Sequence, residues 1–154
     1  MSRIQKKYII ASFFFLILAS ILTFDFDLQL HNSYFILPVS YFFISSSIYL
    51  VICSLIIRWA TQKSINQSLL NFHYFITIFG LVSLTLSLLI TNFFPFPRRY
   101  YSYDNNSKPW TSSWIYWIEQ NLSDFATISS VFIFASFIFL TFIAVLTLTK
   151  IKLK

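Results

Sequence analysis

Residues 125–149 read FATISSVFIFASFIFLTFIAVLTLT, a run that contains no Asp, Glu, Lys or Arg. A helix needs about 20 apolar residues to cross roughly 30 Å of hydrocarbon. Three other stretches, residues 8–24, 35–57 and 71–94, also lack these four charged residue types. Because lipid cannot hydrogen-bond an open backbone, we predict that each stretch is a transmembrane helix.

The composition agrees with residence in lipid. Of the 154 residues, 57% are hydrophobic and only 10% are charged, and a water-soluble domain cannot expose that much apolar surface. We therefore predict an all-α integral membrane protein with four transmembrane helices. Residues 1–154 form a single membrane domain in this interpretation, because the short connections leave no room for a second domain.

The charged residues predict how the helices are oriented. Eight Lys and Arg residues lie on one side of the predicted spans: Arg3, Lys6, Lys7, Arg58, Lys63, Lys150, Lys152 and Lys154. The other side carries only Arg98, Arg99 and Lys108, together with all five acids. Since the more positive side faces the cytoplasm or matrix, both termini are expected there. The net charge of +6 then reflects topology and not nucleic-acid binding.

The one long connection, residues 95–124, is rich in aromatic residues. Trp110, Trp114 and Trp117 recur near helical spacing, beside serines that are candidate helix caps. We expect a short Trp-rich interfacial helix in this outer third loop, with the tryptophans as interfacial anchors. An ordinary aromatic belt without a helix is the alternative.

The third span carries a stripe of small residues. Thr77, Gly80, Ser83, Ser87 and Thr91 follow one another at intervals of three, three, four and four. Small residues on one face allow helices to approach closely and to hydrogen-bond, so the pattern favours helix packing over a transport path. Gly80 is the only glycine in the chain.

The residues that commonly bind metals are few and far apart. The single cysteine, Cys53, lies inside the second span, where we expect it to pack. His31 and His73 are predicted near opposite membrane faces, with His73 at the polar interface of the third span. Zinc and haem iron need converging ligands, and the spans hold no carboxylate or lysine for an ion relay. The sequence therefore predicts no metal site and no catalytic residues.

Three segments resemble subunit I of the haem-copper terminal oxidases, the cytochrome c oxidase family. Residues 30–42 read LHNSYFILPVSYF, which is similar to the family signature LHDTYFVVAHFHY. Residues 72–74 (FHY), Gly80 and residues 97–100 (PRRY) resemble its IHF…G…MPRRY pattern. Residues 127–130 (TISS) are similar to the beginning of its last core helix.

This resemblance extends over roughly residues 27–149 and implies descent from the last three core helices of the subunit. It also implies loss of redox chemistry, because the family's two haem-ligating histidines correspond here to Val39 and Tyr41. Neither side chain replaces an imidazole as an axial ligand. The helices that would carry the copper ligands are missing. We therefore expect no haem, no copper and no other cofactor.

The outer-face residues of the family are better preserved. There, the histidine and aspartate of LHDTY contribute to a metal and propionate region, and the paired arginines bind haem propionates. The resemblance matches His31, Arg98 and Arg99 to these positions, whereas Asn32 replaces the aspartate. These four residues are candidate contacts for an anion or a partner. Pairing within the chain and ordinary interfacial anchoring are the alternatives.

Taken with the resemblance, the sequence favours a protein that works by association and is not an enzyme. We predict a non-catalytic accessory subunit of a larger inner-membrane complex, a respiratory one by the resemblance, with other membrane subunits and lipid as its partners. A stand-alone assembly or regulatory factor is the alternative, and a small transporter or enzyme is the third hypothesis. The predicted location is a bacterial cytoplasmic membrane, with the mitochondrial inner membrane second.

Overall fold

The computed structural model describes residues 2–30, 33–93 and 113–152, and it contains four long helices and one short hairpin. Its elements are, in chain order, α1 (Arg3–Ile21), β1 (Asp25–Leu30), β2 (Ser33–Pro38), α2 (Val39–Gln62), α3 (Gln67–Phe93) and α4 (Ser113–Lys152). All four helices are long and apolar enough to cross a membrane. The prediction of four helices that could each span a membrane is thus confirmed, and it indicates a membrane-embedded protein.

The four helices form two closely packed pairs. α1 packs mainly on α2, and α3 packs mainly on α4. In the first pair, the hydroxyls of Ser12 and Ser47 lie 2.8 Å apart, and the Phe15 and Phe43 rings contact one another at 6.0 Å between centroids. Large apolar side chains remain exposed on every helix, as expected for surfaces that face lipid.

A two-stranded hairpin that the sequence did not predict connects α1 to α2. β1 and β2 pair antiparallel, from Asp25 opposite Pro38 to Leu30 opposite Ser33. The backbone N–H of Val39 donates to the carbonyl of Phe24 over 2.9 Å and closes the base of the hairpin. The hairpin occupies residues 35–38 of the predicted second span as well as the connection before it.

The second span begins later than predicted, at Val39 and not at residue 35. Pro38 has φ −58° and ψ 130°, so it lies outside the helix. Proline disfavours helical backbone in the residue that precedes it, which keeps Leu37 extended in β2. Pro38 therefore marks the beginning of α2 and does not kink it.

A tight turn reverses the chain between α2 and α3. Ser64 has φ 55°, the left-handed conformation that often terminates helices. The N–H of Ile65 donates to the carbonyl of Ala60 over 3.2 Å, and the N–H of Ser64 donates to that of Thr61 over the same distance. Ile65 and Ala60 are both buried, which supplies the hydrophobic contact of this capping motif.

The second helix pair meets at Gly80. A Cβ atom built on Gly80 would lie 3.0 Å from Cγ1 of Ile133, 3.1 Å from its backbone nitrogen and 3.2 Å from Cβ of Phe132. These distances leave no room for a side chain without movement of α4. The glycine therefore sets how closely α3 approaches α4.

α4 is a continuous helix of 40 residues, about 60 Å long at 1.5 Å per residue. Its candidate span is Asp124–Thr149, so the helix begins 11 residues earlier, at Ser113. The separate short helix expected in the third loop is instead the beginning of α4 and includes the backbone of Trp114 and Trp117. Its place at the membrane interface stays a prediction.

Candidate functional site

Five polar side chains from all four helices meet inside the bundle, and we call this group the central node. Its members are Tyr8 of α1, Tyr49 of α2, His73 and Thr77 of α3, and Ser136 of α4, and all of them are buried. The node lies within the candidate spans, toward the end of the bundle where α1 and α3 begin. It is the place where the two helix pairs are joined by side-chain hydrogen bonds.

His73 is the centre of the node. It is 0% exposed and lies inside the bundle, and its predicted depth at the polar interface stays a prediction. The Tyr8 hydroxyl lies 2.6 Å from Nδ1, and the backbone carbonyl of Ser136 lies 3.2 Å from Nε2. A carbonyl can only accept, so Nε2 donates to Ser136, and in the neutral imidazole Nδ1 then accepts from the Tyr8 hydroxyl. The two nitrogens of His73 thereby bridge α1 and α4.

The hydroxyl groups of the node form a chain with a single direction. Thr77 donates to the backbone carbonyl of His73 over 2.8 Å, so its oxygen is free to accept from Ser136, 2.5 Å away. Ser136 in turn accepts from Tyr49, whose hydroxyl lies 2.8 Å away. Each hydroxyl thus donates once, and the chain begins at Tyr49 and ends on a backbone carbonyl. Buried polar groups that are fully paired in this way hold helices together in lipid.

Aromatic rings fix the two tyrosines and the histidine. The Tyr8 ring meets Tyr74 edge-on, with 5.0 Å between centroids. His73 stacks on Phe139 at 6.2 Å with an interplanar angle of 11°, and Tyr49 packs on Phe137 at 4.3 Å. These ring contacts surround the hydrogen-bonded side chains of the node.

The node offers little to a metal ion. Among the described residues, no group of three or more His, Cys, Asp or Glu side chains could hold one. Cys53, a buried free cysteine, lies one helical turn after Tyr49 on α2. The arrangement supplies neutral hydrogen bonds between helices, and each donor is already used within the node.

The structure separates Val39 and Tyr41, the two positions that the resemblance matches to haem ligands. Val39 is 0% exposed at the first residue of α2, whereas Tyr41 is 60% exposed on the outer surface of that helix. The two side chains therefore point to opposite sides. Neither faces the central node.

The small-residue stripe of α3 turns inward. Thr77, Gly80, Ser83 and Ser87 are all buried. Thr77 belongs to the node, and Gly80 lies against the backbone of α4. The side chain of Thr91 lies outside the described residues.

Several predicted site residues also fall outside the part of the chain that the structure describes. They are the outer-face candidates His31, Asn32, Arg98 and Arg99, and the anchor Trp110. For Trp114 and Trp117, the backbone is described as part of α4 and the side chains are not. The structure therefore does not test the anion or partner contacts expected for these residues.

Sequence reasoning missed most of the central node, although a signal was present. Tyr8, Ser12 and Phe15 lie four and three residues apart on α1, which is the spacing of one helix face. On α4, the buried residues Ser129, Ser136 and Ile143 repeat every seven residues. Polar residues at this spacing on otherwise apolar helices mark a buried face. The pattern does not say which partner each residue meets.

Comparison with known proteins gives no relative. No protein-family model, no curated protein and no solved structure matches this chain.

Proposed function

We propose that this chain is a non-catalytic accessory subunit of a larger inner-membrane complex, and that a respiratory complex is the first to test. The observation that carries the proposal is the closed central node. Its side-chain donors are all used in hydrogen bonds among residues of the node, which supports a structural role for the interior. A protein with such an interior acts through its surface.

The surface of the bundle supports a role in association. Of the four candidate spans, that of α4 has the smallest buried share. Phe134 on this helix is 68% exposed, and Val131 beside it is also exposed. In a larger complex, transmembrane helices of other subunits would cover part of this face, and lipid would cover the rest.

The proposed origin is the C-terminal part of an oxidase subunit I. What supports it is the ordered similarity of residues 30–42, 72–74, 97–100 and 127–130 to that family's motifs. Val39 and Tyr41 at the haem-ligand positions fit a descendant that no longer binds haem. Descent does not fix the present function, so the partner complex is tested separately.

A small transporter is a second candidate that one observation favours. His73 is a buried titratable group inside a candidate span, and polar groups inside membranes often belong to ion pathways. In that case, His73→Gln would abolish substrate- or proton-dependent flux in vesicles while the bundle still folds. For an accessory subunit, the same variant changes stability only.

The proposal is tested by purifying the tagged chain in a mild detergent. Mass spectrometry of the co-eluting chains and a visible absorption spectrum are recorded on the same fraction. We expect a constant ratio of this chain to the subunits of one mature complex. Co-elution with immature complexes alone would favour an assembly factor, and a particle without other chains would overturn the proposal. A haem band from the isolated chain would contradict the interpretation of Val39 and Tyr41.

A matched pair of variants locates the contacting face. Phe134 on α4 and Ile10 on α1 are both 68% exposed, so Phe134→Ala and Ile10→Ala remove similarly accessible apolar side chains. We expect Phe134→Ala to reduce co-purification of the partner and Ile10→Ala to leave it unchanged. Equal recovery with both variants would show that α4 is not the contacting helix.

A further inference from the structure

The end of the bundle where α1 and α3 begin is strongly basic. Arg3, Lys6 and Lys7 are exposed on the first two turns of α1, and Arg58 is exposed near the end of α2. α1 and α3 run in the same direction, because the hairpin and the tight turn make each of them antiparallel to α2, and they meet where Tyr8 contacts His73 and Tyr74. The positive charges of α1 therefore lie beside the first turns of α3.

The described acids are at the opposite end of the molecule. Asp25 and Asp27 lie on β1, after the end of α1, whereas Glu119 and Asp124 lie in the early part of α4. Within the described part of the chain, the basic end thus has no carboxylate to neutralise it. An external anion is the complementary partner.

One of these charges is held in a defined place. The ammonium of Lys7 lies 5.4 Å from the centroid of the Tyr74 ring, a cation–π contact. Tyr74 is held in turn by the edge of Tyr8, which the hydrogen bond to His73 fixes. The central node thereby positions the Lys7 charge between α1 and α3. We call the surface strip formed there by Arg3, Lys7, Asn71 and Tyr74 the groove.

Other polar groups line the same groove. Arg3 is four residues before Lys7 and Asn71 is three residues before Tyr74, so each lies on the same helix face as its partner. Because α1 and α3 run in parallel, the first pair lies beside the second. The side chains of Arg3 and of the exposed Asn71 make no hydrogen bond to any described residue. Two positive charges four residues apart on a helix repel one another, and an anion between them removes the repulsion.

We propose that this groove binds the phosphate of an anionic phospholipid. Arg3 and Lys7 supply charge-assisted hydrogen bonds, and the Tyr74 hydroxyl and the Asn71 amide supply neutral donors. Ile10 and Phe75, which follow Lys7 and Tyr74 on the two helices, are 68% and 63% exposed. Acyl chains lie along these apolar side chains while the phosphate stays at the charged end, and this favours a lipid over free phosphate.

The test uses the full-length protein in an uncharged detergent. Binding of phosphatidylglycerol is measured by native mass spectrometry, with phosphatidylcholine and inorganic phosphate as the other ligands. We expect one tightly bound phosphatidylglycerol, weaker phosphatidylcholine and no stable adduct with inorganic phosphate. Lys7→Gln and Arg3→Gln should each weaken phosphatidylglycerol binding about fivefold, the effect of one lost cation near an anionic headgroup.

Arg58→Gln is the matched control, because it removes one exposed positive charge from the same end of the bundle on a different helix. It should leave phosphatidylglycerol binding within twofold of the unchanged protein. Tyr74→Phe keeps the ring under Lys7 and removes only the hydroxyl, so its effect should be smaller than that of Lys7→Gln. If Arg58→Gln and Lys7→Gln weakened phosphatidylglycerol binding equally, the binding would depend on general surface charge, and the proposal would be overturned. Tight binding of inorganic phosphate alone would also overturn it.

Discussion

The two halves of α3 are attached to the rest of the bundle in different ways. In its first half, His73 and Thr77 hydrogen-bond to other polar groups of the central node. In its second half, Gly80 brings the helix against the backbone of α4, and the buried Ser83 continues the same face. Apolar side chains gain little from leaving lipid for protein, so helices associate through polar contacts or through close approach. In this protein, α3 associates through polar contacts in one part and through close approach at Gly80 in the other.

The largest effect is expected where close approach is removed. Gly80→Leu places a branched side chain where even a Cβ atom would lie 3.0 Å from Ile133. We expect α3 and α4 to separate and the folded bundle to be lost. Gly80→Ala should lower the free energy of unfolding by about 1–3 kcal/mol, the usual cost of overpacking.

Unfolding in a denaturing detergent titration measures both Gly80 variants. Val82→Leu is the control, because Val82 is exposed on the same helix and enlargement there should change stability by less than about 0.5 kcal/mol. A Gly80→Ala protein as stable as the unchanged one would show that the helices are free to move apart.

The next largest effect is expected at the centre of the node. His73→Leu removes the bridge between α1 and α4 and leaves the Tyr8 hydroxyl buried without its acceptor. The free energy of unfolding should fall by about 2 kcal/mol, within the range for an unpaired buried polar group. His73→Gln, which keeps donors and an acceptor, should recover part of the loss in the same titration. Unchanged stability of the leucine variant would contradict the structural role of the node.

Smaller effects on stability are expected when either tyrosine of the node loses its hydroxyl. Tyr8→Phe leaves Nδ1 of His73 without its donor and should cost about 1–2 kcal/mol. Tyr49→Phe removes one of the contacts of Ser136, whose hydroxyl still meets Thr77 and His73, and should cost about 0.6 kcal/mol. Unfolding titrations of the two single variants compare them directly. The reverse order would contradict the larger contribution assigned to the Tyr8–His73 hydrogen bond.

The smallest effect is expected at the turn before α3, which takes part in neither the central node nor the Gly80 contact. Ser64 adopts φ 55°, a backbone conformation that costs an L-residue more than glycine. Ser64→Gly should raise the free energy of unfolding by roughly 0.5 kcal/mol after the added freedom of the unfolded chain is counted. Ser68→Gly, inside α3, is the control and should lower it. Destabilisation by both variants would contradict the strain at Ser64.

The sequence predicted the helices better than their ends. Four uncharged runs were enough to predict four spans, because the thickness of a bilayer sets the length of a helix. The beginning of α2 was misplaced since Pro38 was read as a residue within the span, and the chain before it pairs as a hairpin. The beginning of α4 at Ser113 was missed because charge alone does not end a helix outside the membrane.

The central node was harder to predict than the glycine contact. Gly80 is conspicuous as the only glycine, and the stripe around it has helical spacing. His73 looked like an interfacial residue because its burial depends on Tyr8 and Ser136, which are 65 and 63 positions away in the chain. Helical periodicity indicates a buried face, but only the arrangement of helices decides which polar groups meet there.

Because Ser136 lies on the last helix, the central node can be completed only late in biosynthesis. Tyr8, Tyr49, His73 and Thr77 are all synthesised before α4. Until that helix inserts, Nε2 of His73 lacks its acceptor, and the Tyr49 and Thr77 hydroxyls lack the serine that links them. The first three helices alone therefore leave these polar groups without partners. Insertion of α4 supplies the partners through one residue, Ser136. A chain that ends before Ser136 therefore differs from the finished one in buried hydrogen-bonding groups that still lack their partners.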